Sequence, residues 1–397
     1  MFKKNIFSNL GTGTWLIILI QFVAFFTFFM FVPFISTYFV NHLGFSLAFV
    51  GIVLSVRIIS QQGLMVFGGF LADRFGYKQL AIAGFACRGV GFAGLGLTDQ
   101  PFLIVIAAIL SGLGGAMFSP ALKATLTMLT PAENHKQAFS MMNIVENAGT
   151  VMGPLAGLFF KPEDFLFLCL ISGALFWVIG CIVLFLPNPP LLKRHSSWIQ
   201  DTVNIMRNKS FILLVFSLMP FHFIYQQLYL TFPVISERLT GSSSWIFSLV
   251  TINVILLQMP VLHWFKDRSM SSIFALPYIL IGFSLMILGY SEHIITLIIA
   301  LISISFGSML LLPFFQNYIA DIAPKESLAG YFGFSNLAAG IGGSLGNLLG
   351  GVLYDWLKPE WFWLLLSLIC ALPIIGIVRL KQINPKKITP QNISANE

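Results

Sequence analysis

Apolar runs of roughly 20–30 residues, divided by short clusters of charged, glycine and proline residues, follow one another along the chain. A helix rises 1.5 Å per residue, so about 20 apolar residues cross the hydrocarbon layer of a bilayer. Breaking the sequence at its charge and turn clusters predicts twelve spans: 14–40, 46–72, 79–98, 101–129, 137–160, 164–186, 211–235, 243–265, 271–290, 293–320, 327–355 and 360–380. Pro33, Pro120, Pro154, Pro233, Pro260 and Pro313 fall inside spans. They predict kinks, because neighbouring helices can satisfy the carbonyls a proline frees. The ten-residue alternation of a membrane β-barrel is absent. The predicted fold class is an all-α polytopic membrane protein with twelve transmembrane helices in two six-helix bundles.

The polar residues between runs predict topology. Sixteen Lys and Arg, including Lys3, Lys4, Arg74, Lys78, Lys136, Lys193, Arg194 and the tail from Arg379 to Lys387, fall on one side, against Lys161, Arg238 and Lys358 on the other. By the positive-inside rule both termini are cytoplasmic. The longest polar interval sets the domains: an N-terminal bundle at 1–186, a cytoplasmic linker at 187–210 with a short surface helix around Ser197–Arg207, and a C-terminal bundle with its tail at 211–397. The halves repeat at an offset of 193, pairing Pro120 with Pro313, Pro131 with Pro324, Glu133 with Glu326 and Asn143 with Asn336. Gly149, Gly153 and Gly157 pair with Gly342, Gly346 and Gly350, and Asp73-Arg74 with Asp267-Arg268 one residue out of step. Such a duplication is expected of rocking carriers.

Composition narrows the class. With 57% hydrophobic residues, 9% charged and a mean hydropathy of +0.87, the chain has too little polar surface for a soluble globule. The net charge of +7 suggests nucleic acid until the basic residues are placed between spans, where they report topology. No nucleic-acid partner is expected. The run after Lys3 and Lys4 is too long for a signal peptide and is read as a helix. Cys87, Cys169, Cys181 and Cys370 lie inside apolar runs without metal-ligand spacing. No nucleophile–base pair or phosphate loop is present, so neither an enzyme nor a cofactor nor a metal site is expected.

Candidate chemistry lies in polar residues within spans. Glu146 falls near the middle of the fifth span, and Asn143, Glu146, Asn147 and Thr150 share one helical face. An unpaired charge there costs at least about 2.5 kcal/mol, so Glu146 is protonated, paired or wet. Two readings stand: a structural carboxylate bonded to a neighbouring helix, or a site for a proton or a cationic substrate. Arg57 and Arg88 lie equally deep, with Gln61 one turn after Arg57. Arginine stays charged, which leaves a structural ion pair, a site for an anionic group, or a partner that tunes Glu146. His222, Tyr225, Gln226 and Tyr229 recur at helical spacing in the seventh span and predict a cavity-lining face, with His222 as a second proton-coupling candidate. Phe22, Phe25, Phe26, Phe29, Met117, Phe118, Phe314 and Phe315 suit either packing or hydrophobic ligands.

Two stretches carry a resemblance. Gly69-Phe70-Leu71-Ala72-Asp73-Arg74-Phe75-Gly76-Tyr77-Lys78 closely resembles the G-x-L-A-D-R-x-G-R-K signature of the major facilitator superfamily, departing at Tyr77. Gly149, Gly153, Pro154 and Gly157 are similar to that superfamily's antiporter signature, with Leu158 departing, and place the chain nearest the drug/proton antiporters. The resemblance implies a conformational latch built from Gly69, Asp73, Arg74, Gly76 and Lys78, with Lys123 as partner. Antiporters of this type commonly carry an arginine three residues before Ser111, where this chain has Ala108.

The expected function is secondary transport: efflux of hydrophobic, cationic or zwitterionic small molecules in exchange for protons, by a monomer in the cell inner membrane. The alternatives are a dedicated carrier for one metabolite such as a siderophore, and a receptor or scaffold that transports nothing.

Overall fold

A computed structural model of the chain describes residues 10–131, 134–157, 159–187, 205–265, 268, 270–322 and 328–374. Most of the linker, Glu133, Asp267, Pro324, Glu326 and the tail lie outside the described residues. The described residues form fourteen α-helices and no strand: α1 Thr12–Thr37, α2 Leu47–Ile58, α3 Met65–Phe75, α4 Tyr77–Leu97, α5 Pro101–Leu129, α6 His135–Gly157, α7 Phe165–Val183, α8 Lys209–Tyr225, α9 Thr231–Thr240, α10 Ser244–Phe265, α11 Met270–Tyr290, α12 Ile294–Ile322, α13 Leu328–Trp356 and α14 Pro359–Ile369. Each predicted span contains helix. The second is α2 and α3 joined through a π-helical turn at Ile59–Gly63, and the seventh is α8 and α9 joined through a 3₁₀ turn at Gln226–Leu228.

Among the described residues nine helical stretches are long and apolar enough to cross a membrane, and Leu47–Gly63 and Pro359–Ile374 are apolar but shorter. The helices outside both groups are the eleven-residue α3 and α6, whose His135, Gln137, Asn143, Glu146 and Asn147 dilute its apolar content. Helix ends follow local chemistry. Pro101 and Pro359 start α5 and α14, where their missing N–H groups would be unbonded anyway. The Asn208 side chain accepts from the Phe211 N–H to cap α8. Gly76, at φ 98°, turns the chain between α3 and α4 in a conformation that side chains resist.

The chain divides into two compact units, one of residues 1–45 and 52–195, the other of 46–51 and 196–397. In the first, α1 lies along α6, and α4 packs against α5 and α7. Phe92 stacks on Phe176 at 5.2 Å and Phe85 on Phe118 at 4.3 Å. In the second, α8 lies along α13, and α11 packs against α12 and α14. Its core holds Trp363 stacked on Phe232, and the buried Tyr278, whose hydroxyl donates to the Ser217 carbonyl at 2.7 Å. Phe102, Phe159, Phe185, Met259 and Trp264 are largely exposed, which suits lipid contact and would be costly in water. Tyr290 and Trp356 stand exposed at the ends of α11 and α13, where aromatic residues anchor helices at the membrane interface.

The glycine faces dictate the helix pairs. A Cβ on Gly149 would come within 2.8 Å of the Phe26 nitrogen, and one on Gly153 within 2.8 Å of the Met30 nitrogen. In the second unit, a Cβ on Gly342 would come within 2.5 Å of the Met219 carbonyl oxygen, and one on Gly346 within 2.4 Å of that of Phe223. These contacts repeat at the offset of the sequence, because Phe26 and Met30 stand 193 positions before Met219 and Phe223. Small residues four apart let two helix backbones meet, and this chain uses the device twice.

Candidate functional site

Polar groups are placed differently on the two copies of this scaffold. In the first unit, α1 brings Gln21 to α6, and the Gln21 Nε2 donates to the Glu146 Oε1 at 2.7 Å. Gln21 is buried and Glu146 half-buried. The Gln21 amide oxygen has no hydrogen-bond partner among the described residues. An amide can donate to a carboxylate and accept from a carboxylic acid, so Gln21 is equipped to hold either protonation state of Glu146. The Thr150 hydroxyl is spent on the Glu146 backbone carbonyl at 2.9 Å, while Asn143 and Asn147 are exposed on the same helix. Glu146 makes its hydrogen bond to an amide on α1, and sequence reasoning missed Gln21. Its one signal is a single polar residue between Ile20 and Phe22 in an apolar run.

Seven residues after Gln21, or about 10 Å along the axis of α1, stands Phe28. The Arg57 guanidinium lies 4.9 Å from the centre of its ring, and the Arg88 guanidinium lies 5.2 Å from it. Arg57 also donates to the Gln61 Oε1 at 3.2 Å, closing the one-turn pair predicted from spacing. Arg88 is only 5% exposed and sits among four rings, those of Phe28, Phe92, Phe118 and Phe176, at 5.1–5.4 Å. Its Nε and Nη1 have no hydrogen-bond partner among the described residues. Each cation–π contact contributes about 0.5–2 kcal/mol, against several kcal/mol for taking a charge out of water. The rings therefore offset part of the cost. Arg238 pairs with Glu292, and His42 lies 3.9 Å from Glu163; neither contact involves Arg88.

In the second unit the predicted row is bent. Helix α8 ends at Tyr225, and the tighter winding of Gln226–Leu228 breaks the continuous face that the spacing predicts. The Tyr225 and Tyr229 rings remain neighbours at 6.1 Å, and half-buried His222 has its ring 5.7 Å from that of Phe221. Gln226 turns to Asn347, whose Nδ2 donates to its Oε1 at 3.4 Å. The fully buried Gln227, also missed from sequence, donates to the carbonyls of Gly346 at 2.9 Å and Phe223 at 3.3 Å and accepts from Thr231 at 3.2 Å. It ties the turn to the glycine face of α13. An apolar cavity of about 360 Å³, lined by Leu213, Phe216, Met219, Phe223, Leu345 and Leu372 among others, opens beside α8.

Residues 46–51 belong to this second unit. There the Asp355 carboxylate accepts from the Leu47 N–H at 3.2 Å and the Ala48 N–H at 2.7 Å, capping α2. Gly51 and Gly351 let α2 and α13 touch, since a Cβ on either would come within 2.3 Å of a backbone oxygen.

In the latch motif, Gly76 makes the turn, the Arg74 guanidinium lies over the Phe75 ring at 5.4 Å, and Lys78 donates to the Leu186 carbonyl at 2.8 Å. A Cβ on Gly69 would meet nothing within 4 Å among the described residues, and Lys123 is exposed on α5. The Asp73 side chain lies outside the description. Pro154 sits within α6, and Gly157 is its last residue.

A family model described as Major Facilitator Superfamily matches residues 17–290 and 240–395. The chain is 29% identical over 394 residues to multidrug resistance protein MdtH of Yersinia enterocolitica serotype O:8 / biotype 1B, covering 97% of this chain and 98% of that one. It is 30% identical over 378 residues to MdtH of Yersinia pestis strain Pestoides F, covering 93% and 94%. Among solved structures, a POT family transporter in complex with 5-aminolevulinic acid matches with a TM-score of 0.80 and 15% identity, over 96% of this chain and 98% of that one. The nucleoside transporter NupG matches with a TM-score of 0.74 and 13% identity, over 93% and 99%.

Proposed function

We propose, from the premise that the chain belongs to the major facilitator superfamily and is a secondary transporter of small molecules, that it exports hydrophobic or cationic compounds in exchange for protons, with Glu146 as the proton-binding group. The observation that carries this reading is the Gln21–Glu146 pair. A carboxyl group halfway along α6, held by an amide that can serve both its charged and its neutral form, is the equipment a proton-coupled step needs. As the carboxylate, Glu146 attracts a cationic substrate. Protonation from the outer side neutralises it and releases that substrate, and loss of the proton to the cytoplasm resets the site. The names of the curated relatives support export and, with the basic residues of the predicted loops, an inner-membrane protein with both termini in the cytoplasm.

In this reading the two halves are six-helix bundles that alternate rigidly, and the Gly69–Lys78 motif is their cytoplasmic latch, with Asp73 and Lys123 as its charged members. His222, Tyr225, Gln226 and Tyr229 are the second unit's contribution to the substrate path, and the protein works as a monomer. Purified protein in liposomes with an imposed pH gradient tests the proposal, with ethidium as the cationic probe. Accumulation that a protonophore abolishes is expected. Gradient-independent movement, or none for cationic, neutral and anionic compounds alike, would overturn it.

A further inference from the structure

We propose that Arg88, with Arg57 beside it, recognises an anionic group, a carboxylate above all, on the molecule this protein binds. The inference rests on the transport reading and narrows its substrates to those, zwitterions included, that carry a carboxylate as well as any group Glu146 attracts. It is argued from geometry in the first unit alone. Arg88 is a permanent cation, 5% exposed, whose Nε and Nη1 find no acceptor among the described residues. A guanidinium is built to donate in parallel to two oxygens of a carboxylate or phosphate, and here two of its three nitrogens are open.

The surroundings complete the site. Both guanidinium carbons stand near 5 Å from the Phe28 ring centre, so the two charges lie within about 10 Å of each other, where interior charges are poorly screened. Two like charges this close repel, and an anion at Arg88 relieves that repulsion. Glu146, the acid of α6, is engaged by Gln21 two turns away along α1. Gly115 makes room for the guanidinium itself and for Gln61, since a Cβ there would come within 2.4 Å of the Arg88 Nη1 and 2.9 Å of the Gln61 Cδ. Arg57 and Gln61 are half-buried and so more exposed than Arg88. The rings of Phe28, Phe92, Phe118 and Phe176 hold the cation while the anion is absent, and they favour a carboxylate attached to an apolar or aromatic body.

Three matched probes test this on the full chain in detergent: 1-naphthoate, 1-naphthylmethanol and 1-naphthylmethylammonium, with affinities measured by titration calorimetry. Naphthoate is expected to bind at least tenfold more tightly than the alcohol, and Arg88→Gln to erase that preference while Arg88→Lys keeps part of it. No preference for the carboxylate in the native protein, or one that survives Arg88→Gln, would overturn the assignment. Should Arg88→Gln fail to fold, Arg57→Gln reads the same site: at least a threefold weaker naphthoate affinity supports it and an unchanged one overturns it. Gradient-driven ethidium flux is scored separately. Carboxylate-selective binding without that flux defeats the export proposal and leaves the anion site standing, whereas flux without carboxylate selectivity does the reverse.

Discussion

In the first unit the glycine face of α6 stands next to Glu146 and Gln21, and further along α1 the ring of Phe28 carries Arg57 and Arg88. In the second unit the same face recurs on α13, but Ala339 stands where the first copy has Glu146, and Asn347 where it has Pro154. The groups gathered there, Gln226, Gln227 and Asn347, are neutral amides that bond to backbone, to Thr231 or to one another, with the Asn347 Oδ1 left without a partner among the described residues. Duplication has thus kept the backbone crossing and let the side-chain chemistry diverge. A shared crossing is a packing requirement, and the ionisable groups gathered beside one copy alone are the reason the proposal assigns proton coupling to the first unit.

The most damaging way to probe this comparison is to crowd both crossings. Gly153→Val and Gly346→Val each drive a side chain into backbone atoms, which overpacking makes worth about 1–3 kcal/mol or more. Both are expected to lose folded protein, as measured by thermal unfolding in detergent. If one unit tolerates the change, the crossings are not equivalent. Next comes the latch: Asp73→Asn is expected to abolish transport in liposomes while folded yield stays at the native level, and retained transport would remove the latch from the account.

The polar partners then separate the units. Gln227→Leu removes the bonds to Gly346 and Phe223 and is expected to cost about 1–3 kcal/mol of stability, with transport per folded molecule unchanged. Gln21→Leu is expected to do the opposite, leaving the unfolding midpoint close to native while altering how flux depends on pH. An exchange of these two outcomes would reverse the assignment of function to the first unit. The smallest effect is expected at Asp355→Ala, where losing the cap on α2 costs about 1 kcal/mol, readable as a shift of a few degrees in unfolding.

How much of this the sequence discloses depends on whether a feature is local. The helices, the Gly76 turn and the two glycine faces are written in spacing, because length, turn chemistry and a four-residue step act within one element. The pairing of Gln21 with Glu146 joins positions 125 apart, and the Arg88 cage draws single phenylalanines from α1, α4, α5 and α7. Neither leaves a periodic trace. The bend after Tyr225 was hidden for the same reason: the spacing of His222, Tyr225, Gln226 and Tyr229 suits one helix, but the bonds of Gln227 to the α13 backbone are set by a partner 119 residues away. Depth within a span identified Glu146, Arg57 and Arg88 as candidates because a charge in lipid requires a reason. It did not say which groups meet.

The central claim is that Glu146 couples export to protons, and Glu146→Gln in proteoliposomes tests it most directly. The substitution keeps the shape and removes the titration. The expected result is loss of pH-gradient-driven ethidium accumulation, with exchange of ethidium across the membrane in the absence of a gradient retained. Gradient-driven accumulation at the native rate in that variant would contradict the account.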